Sequence, residues 1–278
     1  MFYLPPKEFW YLTVARLTVT FDDGKTGTGT GFFVYDNDQY FLITARHVVD
    51  HRYLPTKTKS PRICTSLEIS FQSAVNPGTP NADIGYNRLL VSEPEFFYEK
   101  NDVDVAAITF PKDFLPIRSE VTTIRPCSFA LNFLATSDDL SSRYAGEPVV
   151  FVGFPDNAPV NRVGMSEFYY PLLRQGVFAF PPTHGIEVEG ELGRNYGLID
   201  SYAQSGFSGG PIIALQKGWA DGSWHPIEEH SPAKVIGLVC GHYRSAQDRY
   251  DGSHAGLSFF ARADSIRDVI EQMQASTN

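Results

Sequence analysis

The 278-residue chain is expected to be all-β, and three observations carry that expectation. Aromatic residues reach 14%, with 21 Phe and 14 Tyr, and such side chains favour strands. The 23 Gly and 19 Pro supply many tight turns. Apolar segments are short, alternate with period two and follow one another with no helical period between them, the pattern of an antiparallel barrel or sandwich. At 42% hydrophobic and 20% charged residues, the chain can bury a sizeable core and is not disordered. Its length is room for one large domain or two small ones.

TVARLTVT (13–20) is β-branched and roughly alternating, as a strand with one buried face should be. DDGKTGTGTG (22–31) turns and makes a glycine-rich approach to GFFVY (31–35), and the tight YDND turn leads to QYFLITA (39–45). Further strands are expected at LEISFQ (67–72), RLLVSE (88–93), VAAITF (105–110), PVVFVGF (148–154) and GVFAF (176–180). YGLID (196–200), GPIIAL (210–215), KVIGLVC (234–240) and GLSFFA (256–261) follow. TKTKSP (56–61), NPGTPN (76–81) and PDNAP (155–159) are Pro/Asn/Gly-rich separators, and 216–234 reads as an extended hairpin. Only the tail reads as helix: Asp264 or Ser265 can cap it, and Ile266, Val269, Ile270 and Met273 share one face for packing against the barrel.

The 23 basic and 32 acidic residues give a net charge of −9 with no Lys/Arg cluster, so neither nucleic acid nor an anionic membrane surface is an expected partner. No window approaches the ~18–20 apolar residues of a membrane span. The opening residues lack a basic stretch leading into an apolar one, so no secretory signal is expected. Cys64, Cys127 and Cys240 are widely spaced and odd in number. That argues against a disulfide framework and for a reducing, cytoplasmic setting, although a secreted chain trimmed of its signal would look similar.

Three segments carry candidate chemistry. LITARHVVD (42–50) delivers His47 at a strand exit; NDVDVAAITF (101–110) places Asp104 directly before an apolar run, with Asp102 as the alternative acid. SGFSGGPII (205–213) sets Ser208 between Gly206 and Gly209-Gly210, where Gly206 can aim its N–H at a site shared with the Ser208 N–H. Taken singly, these are a structural histidine, a turn carboxylate and a glycine-rich turn. Taken together they fit one reaction. A serine hydroxyl needs an adjacent base, imidazole has a suitable pKa, and a buried carboxylate fixes its tautomer.

Other constellations fit less well. GFSGG satisfies the G-x-S-x-G elbow, with Asp221, Asp251, His242 and His254 as later partners, but alternating strands and helices are missing upstream. His225, His230, Cys240 and His242 match no compact zinc spacing. His47 and His51 stand four apart without the Glu of H-E-x-x-H. No metal or cofactor is expected.

TARHVV, DVAAI and GFSGGP resemble the histidine, aspartate and serine motifs of the chymotrypsin-like (trypsin-like) serine peptidases. TGTGTGFFV resembles the glycine-rich opening strand of their bacterial members, and VVFVGFP (149–155) and VIGLVCG (235–241) sit where that family places second-barrel strands. The resemblance spans Val14 to Gln272. It implies two six-stranded antiparallel β-barrels with the triad in the cleft between them, a C-terminal helix, an oxyanion hole from the Gly206 and Ser208 amides, and no cofactor. The implied division is 1–130 with His47 and Asp104, 131–262 with Ser208, and 263–278 as helix and tail. The implied activity is peptide-bond hydrolysis through an acyl-enzyme, on protein or peptide substrates.

Departures refine the expectation. Phe207 stands where the digestive and clotting enzymes carry an Asp that pairs with a new N-terminus, so activation of that kind is not expected. The pattern is nearer the Deg/HtrA-type and glutamyl-endopeptidase-like bacterial branches, without a PDZ module. By position, Tyr202 lies at the base of the primary pocket, Val239, Cys240 and Gly241 form one wall, and Gly256 another. Val239 replaces the His of glutamyl endopeptidases, and an uncharged pocket favours small or medium apolar side chains. The alternative is a protease-like fold used for binding or scaffolding, or a latent protease activated by a protein partner. Segments 111–147, 156–175 and 216–234 are candidates for regulation or partner binding.

Overall fold

The structure, a computed structural model, describes residues 12–53, 61–75, 83–114, 124–156, 170–188, 191–193, 195–217, 231–244 and 254–277. TKTKSP (apart from Pro61), NPGTPN and most of 156–175 lie outside the described residues, as do Asp221, His225, His230 and Asp251.

Strand β1 (Val14–Phe21) alternates buried and half-buried positions and pairs antiparallel with β2 (Thr26–Asp36), Val14 opposite Phe32. β2 turns into β3 (Gln39–Thr44) through Asn37 and Asp38, at φ 47° and 61°. Left-handed backbone at both positions is what a two-residue hairpin loop needs, and Asn and Asp tolerate it well. The sheet continues with β4 (Cys64–Val75), β5 (Asp83–Ser92), β6 (Phe97–Tyr98) and β7 (Ala106–Pro111), in the order β5-β4-β1-β2-β3-β7-β6. Two short strands join it: β8 (Ile124–Pro126) beside β4, and β9 (Phe129–Ala130) parallel to β2.

Phe33 of β2 makes this sheet curl. Its ring lies 5.1 Å from Phe71 and 6.2–6.4 Å from Tyr40, Phe110 and Phe114. Phe71 on β4 also reaches Phe114, just past β7, at 6.4 Å, although three strands separate β4 from β7 in the sheet. The sheet rolls around these rings without closing among the described residues; β5 and β6 remain its two ends. It therefore differs in detail from a six-stranded barrel. Glu93, at φ 50°, turns the chain out of β5, and the two residues of β6 are too few to zip the ends together.

The second half does close. A 3-10 turn (Leu131–Phe133) and a short helix (Ser137–Ser141), whose capping box pairs Thr136 with Asp139, lead into it. β10 (Pro148–Gly153), β11 (Leu172–Phe178), β14 (Tyr196–Asp200), β17 (His254–Arg262), β16 (Lys234–Arg244) and β15 (Pro211–Ala214) form a closed six-stranded barrel in that order. β12 (Ile186–Val188) and β13 (Glu191–Gly193) make a separate hairpin. Of the hairpin expected over 216–234, the ends pair at Lys217 and Ser231, and 218–230 lie outside the described residues. The C-terminal helix (Ala263–Thr277) buries Ile266, Val269, Ile270 and Met273, the face its periodicity predicts. No described helix is long and apolar enough to cross a membrane.

Candidate active site

β3 ends at Thr44, and after Ala45 the chain makes one helical turn, α1 (Arg46–Val49). Buried Val48 and Val49 anchor that turn. Gly29 makes room for it, since a Cβ there would lie 2.6 Å from Val48 Cγ1. His47 sits on this turn and meets Asp104 twice. Its Nδ1 lies 2.6 Å from Oδ2, and its backbone N–H donates to Oδ1 at 2.9 Å. With Nδ1–H donating to the carboxylate, Nε2 is left as the acceptor. Asp104 is 5% exposed. Burial by itself would lower the His47 pKa, but the charge and hydrogen bond of Asp104 outweigh it and hold the pKa above the usual 6.5.

The two candidate acids separate cleanly. Asp102 pairs with Arg46 Nη1 at 2.9 Å, its side chain 79% exposed. Its backbone at φ 60° turns the chain so that Asp104, two residues on, points inward. Buried Glu99 holds the preceding loop, accepting from Asn101 N at 2.6 Å, Asn101 Nδ2 at 2.7 Å and Val103 N at 3.3 Å.

Ser208 lies in a turn that only glycines can build. Gly206 and Gly209 have φ of 93° and 86°. A Cβ on Gly206 would lie 2.3 Å from Phe154 O, and one on Gly209 2.1 Å from Thr30 O and 2.4 Å from Thr44 Oγ1. That contact sets the serine turn against the strand end that delivers His47. Among the described residues, the backbone N–H groups of Gly206 and Ser208 donate to no protein acceptor, whereas those of Gly209 and Gly210 reach Val239 O and Phe207 O, both at 2.8 Å. Two backbone donors left without a protein acceptor in one turn could serve an anion. His47 and Asp104 are joined directly; no hydrogen bond links Ser208 Oγ to His47 among the described residues.

Thr30, on β2, locks the two halves together, and no motif in its local sequence marks it as part of the site. Its N–H donates to Ser208 O at 2.9 Å, and its Oγ1 donates to Gly206 O at 2.7 Å while accepting from Phe154 N at 3.0 Å. Thr44 Oγ1 donates to Thr30 O at 2.8 Å. On the far side of the turn Asp156 holds Ser205, accepting from its Oγ at 2.5 Å, and also meets Thr28 Oγ1. Phe207 is fully buried edge-on to Phe151 at 5.2 Å, anchoring the turn by apolar packing where an acid would need a cation.

The expected pocket residues fall on neighbouring elements. Tyr202 is 46% exposed, with the Arg174 guanidinium 5.8 Å from its ring centroid. Ser201 N–H donates to Gly256 O at 2.9 Å, and Gly256 has φ 85°. Val239 is buried, its N–H and carbonyl both committed to Gly210 and Gly209. A Cβ on Gly241 would meet the Phe259 ring at 2.8 Å. The Cys240 thiol turns toward the triad candidate: Ala261 N–H donates to Sγ at 3.2 Å, and Asp104 O lies 3.9 Å away. Among the described residues, no group of three or more His, Cys, Asp or Glu could hold a metal ion.

The family model described as trypsin-like peptidase domain matches residues 29–219, and the chain belongs to that family. Among solved structures it is similar to the serine endoprotease from Yersinia pestis, with 12% identity, a TM-score of 0.50, and 96% of this chain against 64% of that one. It is also similar to Deg5 (16% identity, TM-score 0.51, 97% and 96% covered) and to the Rv3671c protease from M. tuberculosis in its active form (16%, 0.51, 96% and 83%). The chain thus spans under two thirds of the Yersinia protein's length. No curated protein matches it. At these identities the likeness establishes the fold, which is chymotrypsin-like.

Proposed function

We propose that the protein is a serine endopeptidase in which Ser208, His47 and Asp104 form the triad. The observation that carries this reading is the twofold grip of Asp104 on His47, set against a serine turn with two unused amides. Ser208 Oγ attacks the scissile carbonyl carbon and its proton passes to His47 Nε2. The carbonyl oxygen, now negative, accepts from the Gly206 and Ser208 N–H groups. As the C–N bond breaks, His47 returns the proton to the leaving amine, and an ester to Ser208 remains. Water attacks that ester with the same base and frees the acid.

Tyr202 supplies no carboxylate to pair with Lys or Arg, and the Arg174 guanidinium 5.8 Å from its ring centroid disfavours both further. Small or medium apolar residues before the cut are favoured. Three free thiols suit a reducing compartment, with the cytoplasm as the proposed location. A fluorophosphonate probe tests the chemistry: wild type labels and Ser208→Ala does not. A peptide library tests the pocket, and strong preference for Arg, Lys or Glu rejects it. The alternative reading is a latent form completed by substrate or a protein partner. Labelling that needs an added partner would support that form.

A further inference from the structure

We propose that Tyr196, backed by Tyr53, is a positioning residue for the catalytic carboxylate: a phenol from the second half of the molecule grips the Asp104 backbone and so sets the His47–Asp104 hydrogen bond. The inference rests on the triad reading above. Asp104 N–H donates to Tyr196 Oη at 2.8 Å, Tyr53 Oη–H donates to Asp102 O at 2.8 Å, and the two phenol oxygens are 3.0 Å apart. These contacts admit one proton arrangement. Because Tyr53 spends its proton on Asp102 O, the proton between the phenols belongs to Tyr196, and a Tyr196 lone pair is free for Asp104 N–H. Each of the four groups in this relay, Asp102 O, Tyr53 Oη, Tyr196 Oη and Asp104 N–H, then has a partner.

The two phenols hold both ends of the Asp102–Asp104 stretch. Asp102 supplies its carbonyl, at the left-handed backbone position that turns the chain, and Asp104 supplies its amide. Tyr196 lies on β14 of the closed barrel, paired with β17, whereas Asp104 lies two residues before the start of β7 of the other sheet. The Tyr196 ring packs edge-on to Phe259 at 6.0 Å, and Gly193 clears space for it, since a Cβ there would come within 2.6 Å of Cδ2. Burial pushes the pKa of both phenols upward, so they stay neutral and the bridge persists across the working range of an imidazole. Removing Oη while keeping the ring leaves the packing and frees the carboxylate to shift; displacements near 1 Å in an active site cost up to about 10²-fold in rate.

The test uses Tyr196→Phe, Tyr53→Phe and the double variant of the full chain, with kcat, KM, the pH–rate profile and the His47 ring pKa by NMR titration. The charged and titratable groups around this cluster, Asp102, Asp104, Arg46, His51, Tyr98 and Cys240, are left unchanged. Tyr196→Phe should lower kcat about 10–100-fold with KM within about twofold, and move both the acid limb and the NMR pKa downward as Asp104 loosens. Tyr53→Phe should act in the same direction more weakly, and the double variant should be no worse than Tyr196→Phe alone. If Tyr196→Phe fails to fold, Tyr53→Phe carries the test, because it leaves Asp104 N–H its acceptor. A fall in melting temperature with the His47 pKa unmoved would overturn the proposal. Because the NMR pKa needs no turnover, an inactive wild type would count against the peptidase reading without masking this result.

Discussion

A carboxylate that accepts from both the ring and the backbone of His47 decides which imidazole nitrogen can act as base. Asp104→Asn should keep the fold and lower kcat by about 10⁴-fold, because the amide permits the wrong tautomer; steady-state kinetics beside an unchanged CD spectrum checks it. Gly206 faces a different constraint. Its φ of 93° and the 2.3 Å approach of a Cβ to Phe154 O exclude any side chain, so Gly206→Ala should displace one amide and cost about 10²–10³-fold in kcat. The three triad candidates were legible in sequence because each stands in a short motif whose residue types the chemistry demands. The choice between Asp102 and Asp104 rests on a backbone turn at φ 60°, which sequence leaves open for an Asp. Tyr53 and Tyr196 gave no signal at all, since their role depends on partners 49 and 92 residues away.

The glycine-rich strand β2 illustrates the next level of organisation. Its alternation and its hairpin to β3 follow from local pattern, and most strands were expected within a few residues of where they lie. Short elements were not: α1 and the Ser137–Ser141 helix hold four and five residues, too few for a helical period to show. Closure was also illegible, because it depends on how many residues pair at the ends of a sheet. The same strand carries Thr30, whose side chain serves Gly206 O and Phe154 N at once. Thr30→Val keeps the shape and strands both partners, which should cost about 1–3 kcal/mol by urea unfolding. The substitution should also slow turnover, since Gly206 is one of the two proposed oxyanion donors. Normal stability with normal kcat would show that the seam tolerates the loss.

In the molecule as a whole, one titration links folding and turnover with opposite signs. The folded His47 pKa lies above the unfolded value near 6.5, so its protonated form stabilises the native state fully below about pH 6.5. That contribution fades as pH rises through the folded pKa. The base is usable only when neutral, so kcat/KM should climb over the same window. Melting temperature and kcat/KM, measured together from pH 5.5 to 9, should therefore run against each other above about 6.5, and Asp104→Asn should flatten the thermal trend. Parallel curves would mean that another group governs the acid limb.

The thiols deserve a practical reading. Burial pushes Cys64 up to about 11 and Cys127 to about 12, and burial together with the Asp104 charge holds Cys240 well above the ordinary thiol range. Alkylating agents attack the thiolate, which none of the three supplies in quantity near neutral pH. Iodoacetamide should leave hydrolysis intact while a fluorophosphonate abolishes it, so inhibitor-class profiling separates serine from cysteine chemistry without first removing any cysteine. The same inertness should let the protein be handled without added reductant and let a site-specific label be placed on a newly introduced surface cysteine.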